Sequence, residues 1–443
     1  MSTKLTRIAE LAKEDKTLKF LSIAHLLTVE AMERAFASLR KEAGAGVDGI
    51  RYAQYEQDLG GNLQRLHERL RDGRYRAQPL KRAYIPKEDR KLRPIAIPSL
   101  EDKVVQKATV ELLGAIYEQD FFGCSYGSRP GRSAHEALDE VGRIICRRPI
   151  SYVVEADICG YFDAMVREKL MEMVERRVGD TSMRRLVGKW INVGVMEEGR
   201  LLVTKTGVGQ GQVISPLLAN IYLHYVLDEW FEREVKPRLR GEAGEVRYVD
   251  DFILCFQYRE DAEKVLAVVR ERFGKYGLKL HPEKTRLIEF GRNALTKSEA
   301  PGGNKPGTFD FLGFTHIAKR SRRGKFTIQL RTMRKRLRRS LKEIAAWCQK
   351  HRHDPVKEQN KGLNAKLRGH YQYYGRPTNF RSLWEYRQAV RRIWKKWLNR
   401  RTRGKTVNWP VYEQLLRLHP LLRPRITHPW AGTGSLVLRN RVR

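Results

Sequence analysis

Residues 246–256 read Val-Arg-Tyr-Val-Asp-Asp-Phe-Ile-Leu-Cys-Phe, two β-prone runs meeting at a pair of adjacent carboxylates. Such a pair is costly inside a sheet, because a desolvated charge must be compensated. The chain must therefore turn there, or hold the acids at a strand end. A solvent-facing turn is the ordinary explanation of an Asp-Asp pair. A second acid argues for more: Asp157 closes the β-prone stretch SYVVEADI at residues 151–158, 93 residues before Asp250. Acids at the ends of neighbouring strands can jointly hold Mg²⁺, since hard cations prefer carboxylate oxygen.

The rest of the chain supplies alternating helices and strands. Residues 26–42 read as a helix with Thr28 as N-cap, and Ser99 with Asp102 forms a capping box that opens a helix over 100–118. Residues 82–98 (RAYIPKEDRKLRPIAIP) predict two short strands around a charged turn. Asp163 is expected to cap a helix that Gly179 ends. Apolar residues at 262, 265, 266, 269 and 273 give one helix a buried stripe, and FDFLGFTHI (309–317) is a further strand. GCSYGSRPGRS (123–133) and TGVGQGQ (206–212) are glycine-rich loops. The order is not strictly βαβ, so the fold class is α+β, a sheet with helices packed behind it.

The 443 residues suffice for two or three domains. The formal charge is +36, and residues 319–443 carry most of it, with 35 Lys and Arg against five acids. A polyanion is the natural partner of such a region; an anionic membrane surface is the rival. No apolar run is long enough to span a bilayer, and the N-terminus lacks a signal core. The five cysteines stand too far apart in sequence for a zinc ribbon and suit free thiols in a reducing cytosol. The shift in composition sets the expected boundary between an acid-bearing region and a basic helical one at residues 319–330.

Seven blocks then occur in a telling order: YIPKEDRKLRPIAIP, YGSRPGRSAHEAL, VVEADICGYFDAM, GQGQVISPLLANIYL, RYVDDFILCF, GLKLHPEKTRLIEF and FDFLGF, followed by LNAKLRGHYQYYG at 363–375. In these the chain resembles bacterial group II intron reverse transcriptases, also called maturases, almost end to end. The resemblance implies a right-hand polymerase. Residues 1–80 would be an N-terminal extension for RNA and template, 81–318 the fingers and palm with an antiparallel sheet backed by helices, 319–400 an α-helical thumb, and 401–443 a basic tail.

It also assigns roles. Asp157, Asp250 and Asp251 match the catalytic acids, which with the Ile158 carbonyl hold two Mg²⁺ ions (Mn²⁺ a substitute). Lys87 and Arg93 match residues that grip the incoming triphosphate. Phe162 matches the aromatic gate against a ribose 2′-hydroxyl; by itself it would read as a core aromatic. Gln210 and Gly211 lie beside the nucleotide sugar, and Lys284 near the active site. Tyr248, Val249, Arg129 and Gly313 fall at primer and template. Two residues depart from the family. Gly209 stands where proline usually precedes the glutamine, an exchange expected to loosen the loop. Val249 stands where alanine is commoner.

The function implied is an RNA-directed DNA polymerase and maturase. It would bind group II intron RNA, assist splicing, and copy an RNA template from a DNA primer with deoxynucleoside triphosphates during retrohoming. It would work in the bacterial cytosol or nucleoid, without a membrane partner, and a homodimer is allowed. No HNH endonuclease is expected, because the chain stops soon after the thumb and the cysteines are wrongly spaced. Two alternatives stand beside this: a group II-like enzyme recruited to DNA repair or phage defence, and a splicing factor that binds RNA without catalysis. Retention of all three acids argues against the last.

Overall fold

The computed structural model describes residues 3–86, 92–204, 206–401 and 407–429. Among these, the strands in chain order are β1 (Leu80–Pro86), β2 (Leu92–Ile97), β3 (Tyr152–Asp157), β4 (Val195–Glu197), β5 (Arg200–Leu202), β6 (Ala243–Tyr248), β7 (Asp251–Phe256), β8 (Arg286–Glu289), β9 (Thr308–Phe311), β10 (Phe314–Arg320) and β11 (Phe326–Thr332). They form three sheets, ordered β2-β1-β4-β5, β6-β7-β3-β8 and β11-β10-β9. Helices supply most of the remainder, so the content is mixed α and β with antiparallel hairpins. No helix of the described residues is long and apolar enough to cross a membrane. The chain divides into two compact units. One comprises Met1–Ala134, Ala156–Leu254 and Arg259–Arg286; the other comprises His135–Glu155, Cys255–Tyr258 and Leu287–Arg443.

The first unit is organised around the helix Leu100–Asp120, which is buried over most of its circumference. Ser99 caps it by accepting from the Asp102 amide at 3.2 Å, as the capping box predicts. The Asp102 carboxylate also accepts from the Tyr75 hydroxyl and from the Gln78 amide. Thr28 caps a helix that is shorter than expected, Val29–Ala37. The expected cap at Asp163 is not found. The chain is already helical from Tyr161 to Ala164, entered through Gly160 at φ +53°, and the next helix, Arg167–Glu175, ends before Gly179 and has no side-chain cap. Buried Arg177 collects the carbonyls of Ala12, Asp15 and Leu18, and so docks the N-terminal segment. β1 and β2 pair antiparallel from Lys81↔Ile97 to Pro86↔Leu92. The helix Arg259–Lys275 buries Ala262, Val265, Val269 and Phe273, the predicted stripe. This unit also holds β6, the first residues of β7, and the Asp157 end of β3.

In the second unit, FDFLGFTHI forms a hairpin rather than one strand. β9 and β10 pair at Phe311↔Phe314 across Leu312 and Gly313, both at positive φ. That is the two-residue turn whose twist suits a hairpin. Residues 321–325 turn β10 into β11, so the segment 319–330 lies within one antiparallel pair. The helices Arg334–Lys350, Val356–Tyr374, Phe380–Asn399 and Trp409–Leu418 follow. Their shared core contains Ile344, Leu363, Leu367, Tyr371, Tyr386 and Trp394. Of the seven Tyr and Trp residues from Tyr371 to Trp397, Tyr371, Tyr386 and Trp394 are in this core and Tyr374 and Trp397 pack on it. Most of them are therefore structural. Trp384, at 45% exposure, remains outside.

Trp394 is fully buried, and its indole N–H donates to buried Gln359 at 2.9 Å. Trp394→Ala empties a large site and leaves that acceptor unmet. It should destabilise the helical bundle by about 3–5 kcal/mol, read as a lowered midpoint in urea unfolding followed by circular dichroism, with Trp394→Phe losing less.

Candidate active site

β3 ends at Asp157 and β7 begins at Asp251, and the two strands are neighbours in their sheet. β6 reaches β7 through the two-residue turn Val249–Asp250. Only Val249 has positive φ, +60°. That pattern is normally taken by glycine, and a β-branched residue there costs roughly 1–3 kcal/mol. The turn thus projects two carboxylates beside the end of β3.

The electrostatics tie the predicted residues together. Burial raises the Asp250 carboxyl above its ordinary range, and the negative charge of Asp157 adds to the shift. Asp250's own backbone N–H, Arg93 and Lys284 act the other way. Lys284 Nζ lies 2.7 Å from Asp157 Oδ2. Partial burial disfavours its charge, but the bond to Asp157 and the charges of Asp157 and Asp251 outweigh that and raise its pKa. Asp157, Asp250, Asp251, Lys284 and Arg93 therefore share one electrostatic neighbourhood. The carboxylates do not close into a tight triad. Among the described residues, the group of three metal-capable side chains with ligand atoms within 4.8 Å of one another is Cys124, Asp228 and Glu245.

The donor chemistry fits a hard divalent cation. The acids are half-buried, their charges oppose one another, and a lysine already compensates Asp157. The backbone also has a carbonyl at the end of β3. Ile158 faces Leu280 as an isolated bridge, made by Cys159 N to Lys279 O and His281 N to Asp157 O, each 2.8 Å. Successive carbonyls of an extended strand point to opposite edges, so the Ile158 carbonyl is directed to the β7 side.

The nucleotide-side residues are linked through backbone. Half-buried Phe162 packs beside Tyr161, with ring centroids 5.5 Å apart, and its carbonyl accepts from Val208 at 2.8 Å. Gly207 donates to Met165 at 2.8 Å, and the Ala96 amide donates to Gln210 O at 2.7 Å. The 206–212 loop is thus tied to both Phe162 and β2, the strand that carries Arg93. Gly209 makes a close approach: a Cβ there would lie 2.5 Å from Leu80 Cδ1. Lys87 lies outside the described residues. Gly313 belongs to the hairpin of the second unit.

Arg129 calls for a correction. Its side chain is only 5% exposed, pairs with Glu118 at 2.9 Å, and donates to the carbonyls of Phe122 and Ser125 at 2.8 Å. It braces its own loop, and a guanidinium so spent does not suit a template contact. Reading the sequence also missed Arg247. This residue is fully buried and donates to the carbonyl of Val249 at 2.9 Å. The available signal was an arginine inside the apolar run 246–256.

Residues 85–316, just over half the chain, match the family described as reverse transcriptase (RNA-dependent DNA polymerase). The chain is 32% identical to Protein YkfC of Escherichia coli K12 over 362 residues, 73% of this chain and 90% of that protein. The chain belongs to the reverse transcriptase family. It is also 30% identical to the group II intron-encoded protein LtrA of Lactococcus lactis subsp. cremoris, over 66% of this chain and 50% of LtrA. An uncharacterized 91 kDa protein in the cob intron of Schizosaccharomyces pombe is 30% identical over 70% of this chain and 39% of its own length. The chain therefore spans half or less of these last two proteins. The likenesses place it with the group II intron type of reverse transcriptase.

Gly211 tests the loop geometry. It sits at φ +118°, and a Cβ would lie 2.6 Å from Ile95 Cγ2 and 2.9 Å from Ala96 O. Gly211→Ala should cost roughly 1–3 kcal/mol in chemical denaturation, whereas Gly199→Ala, with positive φ but open space around it, should cost less.

Proposed function

We propose that this reverse transcriptase copies RNA into DNA at Asp157, Asp250 and Asp251 and serves as the maturase of a group II intron. It would bind the folded intron RNA, assist its splicing, and make cDNA for retrohoming. The observation that carries the reading is the meeting of strand-end acids from β3 and β7 with Lys284 and Arg93. Residues 81–318 would act as fingers and palm, 319–400 as thumb, 1–80 as an RNA-binding extension and 401–443 as a basic tail.

Asp157, Asp250, Asp251 and the Ile158 carbonyl would hold two Mg²⁺ ions, with Mn²⁺ a substitute. Such a pair, when bound, activates a primer 3′-oxygen and stabilises the pyrophosphate that leaves. The chain's own groups do the rest. Arg93 engages triphosphate oxygens with its planar fork, and Lys87 would add a second cation. The Phe162 ring occupies the space of a 2′-hydroxyl, which favours deoxynucleotides. Gln210 and Gly211 line the sugar from the loop tied to Phe162. Lys284 compensates Asp157 until other cations arrive. Tyr248 and Val249 would face the primer terminus, and Gly313 would contact primer or template. The C-terminal excess of Lys and Arg neutralises RNA phosphates, and exposed Trp384 offers a face for an unpaired base.

Primer extension on an RNA template tests this. The wild-type protein should extend a DNA primer with deoxynucleotides, lose activity in EDTA, and regain it with Mg²⁺. Asp250→Ala should fold and not extend. Phe162→Ala should incorporate ribonucleotides more readily than the wild type. A wild-type protein that extends no primed template would end the polymerase reading. Equal affinity for a group II intron RNA and an unrelated RNA of the same length, at matched salt, would end the intron reading.

A further inference from the structure

Beneath the Val249–Asp250 turn lies a polar cluster that the reaction itself does not use. Arg247 is fully buried in β6. Its Nε and Nη2 donate to the two carboxylate oxygens of Asp228, each at 2.6 Å. Nη2 also donates to Ser125 Oγ at 2.8 Å. Nη1 donates to Asn220 Oδ1 at 3.0 Å and to the Val249 carbonyl at 2.9 Å. A guanidinium has five N–H donors, and these five acceptors use them all.

The surroundings lock the same point from the other side. The Arg247 amide donates to Cys124 O at 2.8 Å, and its carbonyl accepts from Tyr126 at 2.9 Å, so residues 124–126 run along β6. Gly127 follows directly. A Cβ there would stand 2.5 Å from Val249 N and 2.6 Å from Val249 Cγ2. Asn220, which accepts from Arg247, donates to the Gly127 carbonyl at 2.8 Å. Val249 is thus gripped at its carbonyl by a guanidinium and at its amide side by a glycine that leaves no spare room.

The nearby trio Cys124, Asp228 and Glu245 has metal-ligand spacing, but its charge is already balanced. Arg247 neutralises Asp228 in a forked ion pair with both partners fully buried. Burial, with Asp228 adding to it, pushes the Glu245 carboxyl well above its ordinary range, and burial does the same to the Cys124 thiol. The cation that this pocket needs is the guanidinium itself.

We infer that Arg247 is the positioning residue of the catalytic turn: anchored on Asp228, Asn220 and Ser125, it holds the Val249 carbonyl and keeps a strained left-handed valine in place, so that Asp250 and Asp251 are presented in one fixed orientation. This inference rests on the polymerase reading and adds a requirement to it. The acids need an internal cation below the turn as well as metal above it. Lysine cannot replace arginine there, because a point ammonium does not reproduce the planar fork.

The test is steady-state and burst kinetics of primer extension by the full chain. Rates are expressed per active site from the burst amplitude, with melting curves to confirm folding. Arg247→Lys should lower kcat by about tenfold to a hundredfold, the scale of a small misplacement of reacting groups. The KM for deoxynucleotide should stay within about twofold, and half-saturating Mg²⁺ should rise. Gly127→Ala pushes the same turn without touching the ion pair and should show the same split. Ser125→Ala, which removes one acceptor and keeps the charges, should show it at smaller size and serves where Arg247→Lys does not fold. Adding Val249→Gly to Arg247→Lys should recover part of the lost kcat, since glycine adopts positive φ unaided. An active wild type with Gly127→Ala and Ser125→Ala both at wild-type kcat and Mg²⁺ requirement overturns the inference, as does a further loss on adding Val249→Gly. An inactive wild type strikes the polymerase reading instead.

Discussion

Holding Asp157 and Asp250 side by side is the constraint to which the rest of the first unit answers. Two carboxylates at neighbouring strand ends repel, and partial burial strengthens the repulsion by thinning the screening water. The fold meets this with cations from different parts of the chain. Lys284 binds Asp157 directly, and Arg93 reaches Asp250 through space from β2. Burial, and after it the negative charge of Asp157, raise the Asp250 carboxyl above its ordinary range; on the proposed reading a bound divalent ion would supply the positive charge that such a set of acids needs.

The buried pair below the turn follows a different logic. Isolated ion pairs in a protein interior often give little net stability, because both partners lose their hydration. Arg247 and Asp228 justify their burial through direction. Every guanidinium N–H has an acceptor, and those acceptors belong to four residues: Ser125, Asn220, Asp228 and Val249. An apolar side chain of equal volume could fill the space but could not fix the carbonyl of a strained residue. The network is retained for geometry, and Val249 is where the geometry is spent.

Much of the site could be read along the chain. Asp157, Asp250 and Asp251 announce themselves as acids interrupting β-prone runs, and the neighbouring strands bring them together. The N-caps at Thr28 and Ser99 were equally legible, because capping is local chemistry. What failed was whatever depends on a partner or a backbone angle that the residue's own identity does not disclose. Arg129 has the sequence of a surface residue in a glycine-rich loop, yet Glu118 and two carbonyls absorb it. Asp163 looks like a cap until Gly160 starts the helix early. Arg247 is invisible until Asp228 and Asn220 arrive from a helical segment about twenty residues upstream, a distance on the order of several helical turns. The hairpin at Leu312–Gly313 was hidden by continuous β propensity, since only the positive φ of its two turn residues reveals it.

The departure at Gly209 shows how tertiary contacts can replace local stiffness. Proline would restrict this loop through its own ring. Here Phe162, Met165 and β2 hold the loop from outside, and Ser215 Oγ donates to the Gly209 carbonyl at 2.9 Å. Glycine adds freedom to the unfolded chain, but in the fold its lack of a side chain permits the approach to Leu80 that seats the loop. The exchange therefore moves the source of order from one residue to its neighbours. On the proposed reading this has a mechanical consequence. Gln210 and Phe162 would bracket the same sugar, and the bond from Val208 to the Phe162 carbonyl ties their backbones together. A shift of the Phe162 backbone would therefore reach the loop that carries Gln210, so the two contacts that choose the sugar share one support.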